Sequence, residues 1–502
     1  MNDNLYARLA QILSRDPDRT VLYWQGQPMQ AGELVHRVGQ MAAELVALGL
    51  SKGDRVAVQV EKSPENIALY LAALQIGAVY LPLNTGYTRA ELEYFITDAE
   101  PRVIVHDPRQ TGLDAAAASV GARLVTMDAT GQGSLAQGTD RQQPLTRIED
   151  CAADDIAAIL YTSGTTGRSK GAMLSHDNLW SNTEALIDCW GYSADDVLIH
   201  ALPLFHTHGL FVALNMTLAA GARLHLLPKF DADEVLALMP TSTVLMGVPT
   251  FYARLLAHPG LTREAVANMR LFVSGSAPLI AENHQAFTAR TGHAILERYG
   301  MTETCMNTSN PLEGERRPGS VGMPLPGVEL RITGDQGQTL PAGEIGNIEV
   351  RGPNVFKGYW RMPEKTAAEF RADGFFITGD LGTEGPDGYV TIVGRGKDLI
   401  ISGGYNVYPK EVEDVLNAME GIAESAVIGV PHADFGEAVV ALIVPEAGAT
   451  PDEAAIEASL RDRLAGFKRP KRLILTAALP RNTMGKVQKN QLRDTHKDLF
   501  AT

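Results

Sequence analysis

Tyr161-Thr162-Ser163-Gly164-Thr165-Thr166-Gly167-Arg168-Ser169-Lys170-Gly171 decides how the rest of this 502-residue chain is read. An apolar run, 156–160, precedes it, and the polar segment Ser175-His176-Asp177-Asn178 has the composition of a helix start. The expected order is strand, small-residue loop, helix. Glycines let the backbone approach a ligand closely, and successive exposed N–H groups form a nest for an anion. Serine and threonine hydroxyls and two cations, Arg168 and Lys170, add donors suited to a polyphosphate. The spacing excludes a Walker A loop, which needs Gly-Lys-Ser/Thr after a glycine with four residues between.

Outward from this stretch, helix-like and strand-like segments alternate. Apolar residues recur at helical spacing over 32–50 and 63–76, and 53–60, 78–83, 103–106, 123–127 and 156–160 read as strands. The pattern continues with strands at 197–203, 243–248 and 270–274 and a helix at 209–220. Such alternation predicts an α/β fold with largely parallel sheets. Segment 128–150 has few large apolar residues and reads as a surface connection. Beyond residue 319 glycine and proline become dense and the strands short, at 344–350 and 389–393, which predicts a β-rich subdomain.

A boundary is expected near Gly394-Arg395-Gly396-Lys397-Asp398. The predicted organisation is a large N-terminal domain of packed α/β sheets with the β-rich subdomain, residues 1–396, and a small α+β C-terminal domain, residues 397–502. From 461 to 502 there are eleven Lys or Arg (461, 463, 468, 469, 471, 472, 481, 486, 489, 493, 497) against three Asp (462, 494, 498). In an acidic protein this local excess predicts a lobe that meets an anion.

Composition excludes several classes. Hydrophobic residues at 45% and charged residues at 21% are those of a globular protein large enough for more than one domain. A net charge of −15 argues against nucleic acid as a partner. Three scattered cysteines, Cys151, Cys189 and Cys305, offer neither a disulfide framework nor a zinc site. The first twenty residues lack a signal-peptide core, and 67–83 reads as a buried helix and strand rather than a membrane span. A cytoplasmic protein with no membrane partner is expected.

Five motifs in order carry a resemblance. The loop quoted above resembles the phosphate-binding loop of the acyl-adenylate-forming superfamily of acyl-CoA synthetases, adenylation domains and luciferases. Residues Tyr299-Gly300-Met301-Thr302-Glu303, Thr378-Gly379-Asp380, Gly394-Arg395-Gly396-Lys397-Asp398 and Pro480-Arg481-Asn482-Thr483-Met484-Gly485-Lys486 match its later elements. The resemblance spans the whole chain. It implies a mobile C-terminal domain that rotates between two half-reactions, with ATP, Mg²⁺ and coenzyme A as the small molecules used.

The resemblance also implies roles. Thr162, Ser163, Gly164, Thr165, Thr166, Gly167 and Lys170 would hold the β- and γ-phosphates, and Thr302 the α-phosphate. Tyr299 would stack on adenine beside Ser276, Ala277 and Pro278, with Glu297, Gly300 and Met301 in the same nucleotide site. Asp380 would accept hydrogen bonds from the ribose, with Arg395 nearby, and Glu303 would be the Mg²⁺ carboxylate. Lys486 would supply positive charge to the reacting groups, and a lysine acetyltransferase and deacetylase acting on it would be regulatory partners. Lys397 would be the hinge, and Gly403, Gly404, Tyr405, Lys468 and Arg472 would meet CoA.

The acid is a separate question. Arg298 directly precedes Tyr299, and a planar guanidinium can hold a carboxylate through two parallel hydrogen bonds. Segments 161–178, 200–211 and 296–310 look like the malonyl-CoA synthetases of the superfamily. That likeness implies malonate as substrate, held by Arg298 with His206 and Ser276, with His206 also a catalytic candidate and methylmalonate left open. Another short-chain or aromatic acid, or a carrier-protein thiol in place of CoA, remains an alternative at this stage.

Overall fold

The run at 156–160 does form a strand, Ile156–Thr162, but a second strand follows it before any helix. Lys170–Ser175 returns antiparallel, pairing Tyr161 with Gly171 and Thr162 with Lys170. The expected strand–loop–helix order is thus corrected to a hairpin and then a helix. A Cβ at Gly171 would lie 2.9 Å from Ile159 Cγ2, so the return strand depends on a residue without one. The helix begins where its polar start lies: Ser175 caps His176–Cys189 in a reciprocal capping box with Asn178. The structure, a computed structural model, describes residues 2–162, 169–432, 434–482 and 485–500. Ser163, Gly164, Thr165, Thr166 and Gly167 therefore lie outside the described residues.

Two α/β sheets form the body of the N-terminal region. A six-stranded sheet runs Arg123–Thr126, Val103–His106, Arg55–Gln59, Val79–Pro82, Ile156–Thr162, Lys170–Ser175, parallel except for the final hairpin. A nine-stranded sheet has a parallel centre, Leu296–Met301, Leu271–Ser274, Val244–Gly247, Val197–His200, Arg223–Leu226 and Thr20–Trp24. Helix Pro64–Gln75 is buried on every side from Asn66 onward, which suits its lack of a polar face and places it inside the main core. The mixed α/β class and the parallel pairing agree with the sequence pattern.

Two segments depart from expectation. The connection 128–150 contains a helix, Ser134–Thr139, with Leu135 and Thr139 buried, and its Leu145 carbonyl would sit 2.9 Å from a Cβ at Gly39. It remains a surface connection, most of it exposed or half-buried, but with a helix and packing contacts that its composition does not suggest. The helix expected at 209–220 opens as a π-helix, His208–Leu214, before continuing as Asn215–Ala219. Wider turns of this kind often mark functional positions.

Two further sheets complete the molecule. A four-stranded antiparallel sheet, Glu329–Thr333, Gly346–Arg351, Phe376–Glu384 and Val390–Arg395, accounts for the glycine- and proline-rich region. The last sheet uses only residues beyond 399, including the long pair Ile422–His432 and Gly436–Pro445, with helices Pro409–Asn417, Glu453–Arg463 and Lys489–His496. Its core is separate from that of the other three sheets. Among the described residues no helix is long and apolar enough to cross a membrane.

Candidate active site

Four neighbouring parallel strands, Val197–His200, Val244–Gly247, Leu271–Ser274 and Leu296–Met301, end at the same edge of the nine-stranded sheet. Ligands of parallel sheets bind outside the carboxyl ends of strands, because loops and unpaired backbone groups gather there. The segments leaving these ends carry His206 and His208, Thr250, Gly275 with Ser276, and Thr302 with Glu303.

Arg298 sits on the last of these strands with only 4% of its surface exposed. It forms no ion pair with Glu297 or Asp380, and its Nε and one terminal nitrogen are buried without a hydrogen-bond partner. Burial pushes its pKa down, an effect eased slightly by the nearby Tyr252 hydroxyl. Tyr252 is itself committed, donating to the Val273 carbonyl at 2.7 Å. A buried guanidinium with unsatisfied donors is costly unless an anion completes it.

Two histidines lie near this guanidinium. His206 Nδ1 accepts from the His208 backbone N–H at 3.2 Å, which leaves its proton on Nε2. Burial, then Arg298 and Lys486, lower the His206 pKa to about 4, so the ring is neutral at pH 7. His208 is fully buried, its Nδ1 3.3 Å from Ser276 Oγ and its Nε2 without a partner. Ser276 has a φ of +70°, a left-handed conformation unusual for a side-chain-bearing residue and typical of sites where geometry is imposed. Arg298, His206 and Ser276 are therefore brought together, with His208 and Tyr252 as additions.

Tyr299, Asp380 and Arg395 form the second cluster. The Tyr299 phenol donates to Asp380 Oδ2 at 2.5 Å, and Arg395 Nε lies 2.7 Å from Asp380 Oδ1. The four-stranded sheet makes this contact, because Asp380 and Arg395 face each other across its strands. Glu297 is buried beside them in sequence, its Oε1 accepting from Gly319 N–H, and burial raises its pKa to about 7 against the opposing effects of that N–H and Lys410. Gly300 has no room for a side chain: a Cβ would fall 1.9 Å from the Cys305 carbonyl oxygen. Ala277 and Met301 are half-buried and Pro278 exposed in the same region. Thr302 stands in the turn between Leu296–Met301 and Cys305–Ser309.

Glu303, next in the turn, is buried, and desolvation raises its pKa. Its Oε1 is 3.0 Å from the Tyr359 hydroxyl, which also lies 2.6 Å from Glu369 Oε2. Lys170 Nζ is 3.1 Å from Glu369 Oε1 and 4.0 Å from the centre of the Tyr359 ring. Tyr359 and Glu369 escaped the sequence reading because only tertiary packing joins them to Lys170 and Glu303. Among the described residues no three His, Cys, Asp or Glu side chains converge on a metal position. A single buried carboxylate with raised pKa nonetheless fits Mg²⁺, which typically takes one or two carboxylates plus phosphate oxygens.

The C-terminal region reaches into the cleft. Gly485 packs on Thr250, where a Cβ would meet its side chain at 3.2 Å, and Lys486 follows. Lys486 is exposed to solvent along its length, while protein crowds its ammonium group. That burial first, then Arg395 and Lys397, outweigh Asp380 and Asp398 and lower its pKa to about 8. Lys397 lies in the short 3₁₀ turn Gly396–Asp398, and Asp398 pairs with Arg493 at 2.9 Å. The CoA candidates contact other parts of the C-terminal sheet instead. Gly403 N–H donates to the Phe435 carbonyl, Tyr405 stacks on Phe467, Lys468 pairs with Glu411 at 2.6 Å, and Arg472 is exposed on Arg472–Leu475.

Comparison with known proteins places the chain in a family. The profile of the AMP-binding enzyme family matches residues 9–360, and that of the AMP-binding enzyme C-terminal domain matches residues 411–486. ATP-bound MatB from Rhodopseudomonas palustris is 60% identical over all of both chains with a TM-score of 0.98, against 0.85 for its apo form at the same coverage. A malonate–CoA ligase of Arabidopsis thaliana is 36% identical, covering 91% of this chain and 80% of its own. A feruloyl-CoA synthase of an Amycolatopsis species is 37% identical, covering 95% and 96%. Family likeness at that level therefore fixes the reaction type while leaving the acid to the pocket. The chain belongs to the AMP-binding enzyme family and is an AMP-forming acid–CoA ligase that works through an acyl-adenylate.

Proposed function

We propose that the acid is malonate and the product malonyl-CoA, with AMP and pyrophosphate released. The observation that carries this reading is the buried Arg298 guanidinium, with two unpartnered nitrogens beside neutral His206 and His208. A dicarboxylic acid would place its unreacted carboxylate there and supply the missing acceptors. A monocarboxylic acid would leave Arg298 unpaired and be rejected strongly. The name of the Arabidopsis relative supports the same reading. Methylmalonate would add one methyl, which a pocket discriminates by only about 1–3 kcal/mol.

In the first half-reaction a malonate carboxylate oxygen attacks the α-phosphorus of ATP, the bond to pyrophosphate breaks, and malonyl-adenylate forms. The Lys486 ammonium offsets charge where the two anions meet, and Arg298 fixes the far carboxylate so that the near one is in line. Asp380 and Tyr299 orient the nucleoside; Thr302 and the segment 162–170 hold phosphates, with Lys170 released from Glu369. Mg²⁺, held by Glu303, would neutralise phosphate charge. In the second half-reaction the CoA thiolate attacks the acyl carbon and AMP leaves. We place a domain boundary at 396/397, with rotation about Lys397 bringing Gly403, Gly404 and Tyr405 to the thiol path and Lys468 and Arg472 to the CoA phosphates.

The test is pyrophosphate release with ATP and Mg²⁺ across malonate, methylmalonate, succinate, acetate, butyrate and benzoate, with and without CoA, in wild type and Arg298→Ala. Malonate-dependent release that falls by on the order of 10²–10³-fold in the variant is expected, the consequence of removing one partner of a buried charge pair. Preference for a monocarboxylic acid, with the variant unaffected, would discard malonate.

A further inference from the structure

Gly275 joins strand Leu271–Ser274 to Ser276, and the usual reason for a glycine in such a turn does not apply to it. The left-handed residue here is Ser276, at φ +70°, whereas Gly275 is not among the positive-φ residues. Its φ lies outside the region that favours glycine. What it lacks is space: a Cβ would lie 2.4 Å from Arg298 Cζ and 2.6 Å from both Nε and Nη1. The guanidinium lies across the bare α-carbon. No other atoms are as close to that position, so a side chain at 275 and the present Arg298 conformation exclude each other.

We propose that Gly275 determines substrate selectivity by leaving open the channel through which Arg298 reaches the acid; this rests on the proposed role of Arg298. The three atoms nearest that Cβ all belong to the end of one side chain, and Arg298 holds its place with two buried nitrogens unpartnered. Displacement of the guanidinium, rather than collapse of the sheet, is the expected response to a methyl group at 275. The cavity then loses its carboxylate anchor and gains an apolar surface. Malonate recognition falls, and discrimination against propionate, the three-carbon acid with a methyl at the far end, falls with it. The atoms nearest a Cβ at 275 all belong to Arg298, and the Tyr299–Asp380–Arg395 contacts are made without Gly275, so that cluster is expected to keep its hold on the nucleoside.

The experiment is a double-mutant cycle with Gly275→Ala, Arg298→Ala and the double variant. It reads kcat/KM for malonate and propionate in pyrophosphate release, the affinity for AMP, and the thermal midpoint. Gly275→Ala is expected to lower the malonate-to-propionate ratio at least about tenfold at unchanged AMP affinity, and to add nothing in the Arg298→Ala background. If Gly275→Ala folds poorly, the double variant should regain the thermal midpoint, because the clashing group is gone. Selectivity lost in Arg298→Ala but retained in Gly275→Ala overturns the role of Gly275 alone. Selectivity retained in Arg298→Ala overturns the reading on which it rests. A poorly folding Gly275→Ala that the second substitution does not rescue also overturns it.

Discussion

Tyr299 and Asp380, eighty-one residues apart in sequence, meet through a 2.5 Å hydrogen bond from phenol to carboxylate. The same carboxylate holds Arg395 at 2.7 Å, so the nine-stranded and four-stranded sheets are tied at one buried group. An aromatic ring fixed by its hydroxyl presents a rigid face, and the carboxylate beside it keeps acceptor capacity for a diol. Asp380→Asn should raise the KM for ATP by roughly 10–100-fold, since it also strands the Arg395 cation. Tyr299→Phe should raise it only a few-fold, because the ring remains. Initial rates against ATP at saturating malonate distinguish the two; equal effects would mean that Asp380 acts only through Tyr299.

Lys486 is expected to serve one half-reaction. Lys486→Ala or Lys486→Gln should lower acid-dependent pyrophosphate exchange by about 10²–10³-fold, the typical loss when a charge-stabilising donor is removed. Conversion of supplied malonyl-adenylate and CoA to malonyl-CoA should persist. Acetylation removes the same charge and should match the glutamine variant. Loss of both half-reactions in Lys486→Gln would place the lysine in the fold rather than the chemistry.

The same lysine sets a pH dependence. Its pKa is depressed to about 8, so the charged form predominates below that value and is lost as pH rises through it. kcat/KM for the adenylation step should therefore descend on the alkaline side near pH 8, since that ratio reports groups of the free enzyme. Lys397 is one of the cations that depress it. Lys397→Ala should shift the descending limb to higher pH, measured in pyrophosphate exchange so that domain rotation does not enter. A limb that stays in place would mean that Lys486 does not control it.

The fold class was legible because strand and helix periods alternate through the first 300 residues, and parallel pairing follows from that order. The Tyr299–Glu303 and Thr378–Asp380 elements were legible as motifs because each is contiguous. The hairpin at 156–175 was not: Lys170-Gly171-Ala172-Met173 looks like the tail of a turn, and its strand character comes from packing against Ile159 and Trp360. Nor did sequence point to Tyr359 and Glu369, whose nearness to Lys170 and Glu303 depends on distant segments meeting. Arg298 was visible as a candidate, but its lack of a partner is a property of the folded cavity.

Lys468 makes a sharper test of the second half-reaction than its exposure suggests. It is paired with Glu411 at 2.6 Å, so a phosphate must compete with a carboxylate for it. Lys468→Ala with Arg472→Ala should raise the KM for CoA several-fold and leave pyrophosphate exchange unchanged. Glu411→Gln should lower it and weaken its dependence on salt less than the lysine variant does. An unchanged KM for CoA in the double variant would move the CoA phosphates elsewhere on the domain.

Lys62 provides a last prediction, on stability and on the acid cavity together. It is buried, and its ammonium donates to the carbonyls of His200 at 2.6 Å and Leu202 at 2.7 Å. Burial holds its pKa well below the ordinary lysine value. These carbonyls begin the turn that carries His206 and His208, and His200 Nε2 closes the turn on the Gly209 carbonyl at 2.8 Å. Lys62→Met keeps an unbranched side chain but deprives the buried Leu202 carbonyl of this donor and leaves the His200 carbonyl only the Leu227 N–H at 3.1 Å, a cost of about 1–3 kcal/mol. Early loss of structure in urea should accompany a raised KM for malonate, while the KM for ATP changes less because the Tyr299–Asp380–Arg395 contacts use no residue of the turn. Lys62→Gln, which restores one donor, should recover part of both. A malonate KM unchanged in a folded Lys62→Met would confine Lys62 to stability and detach it from the histidine turn.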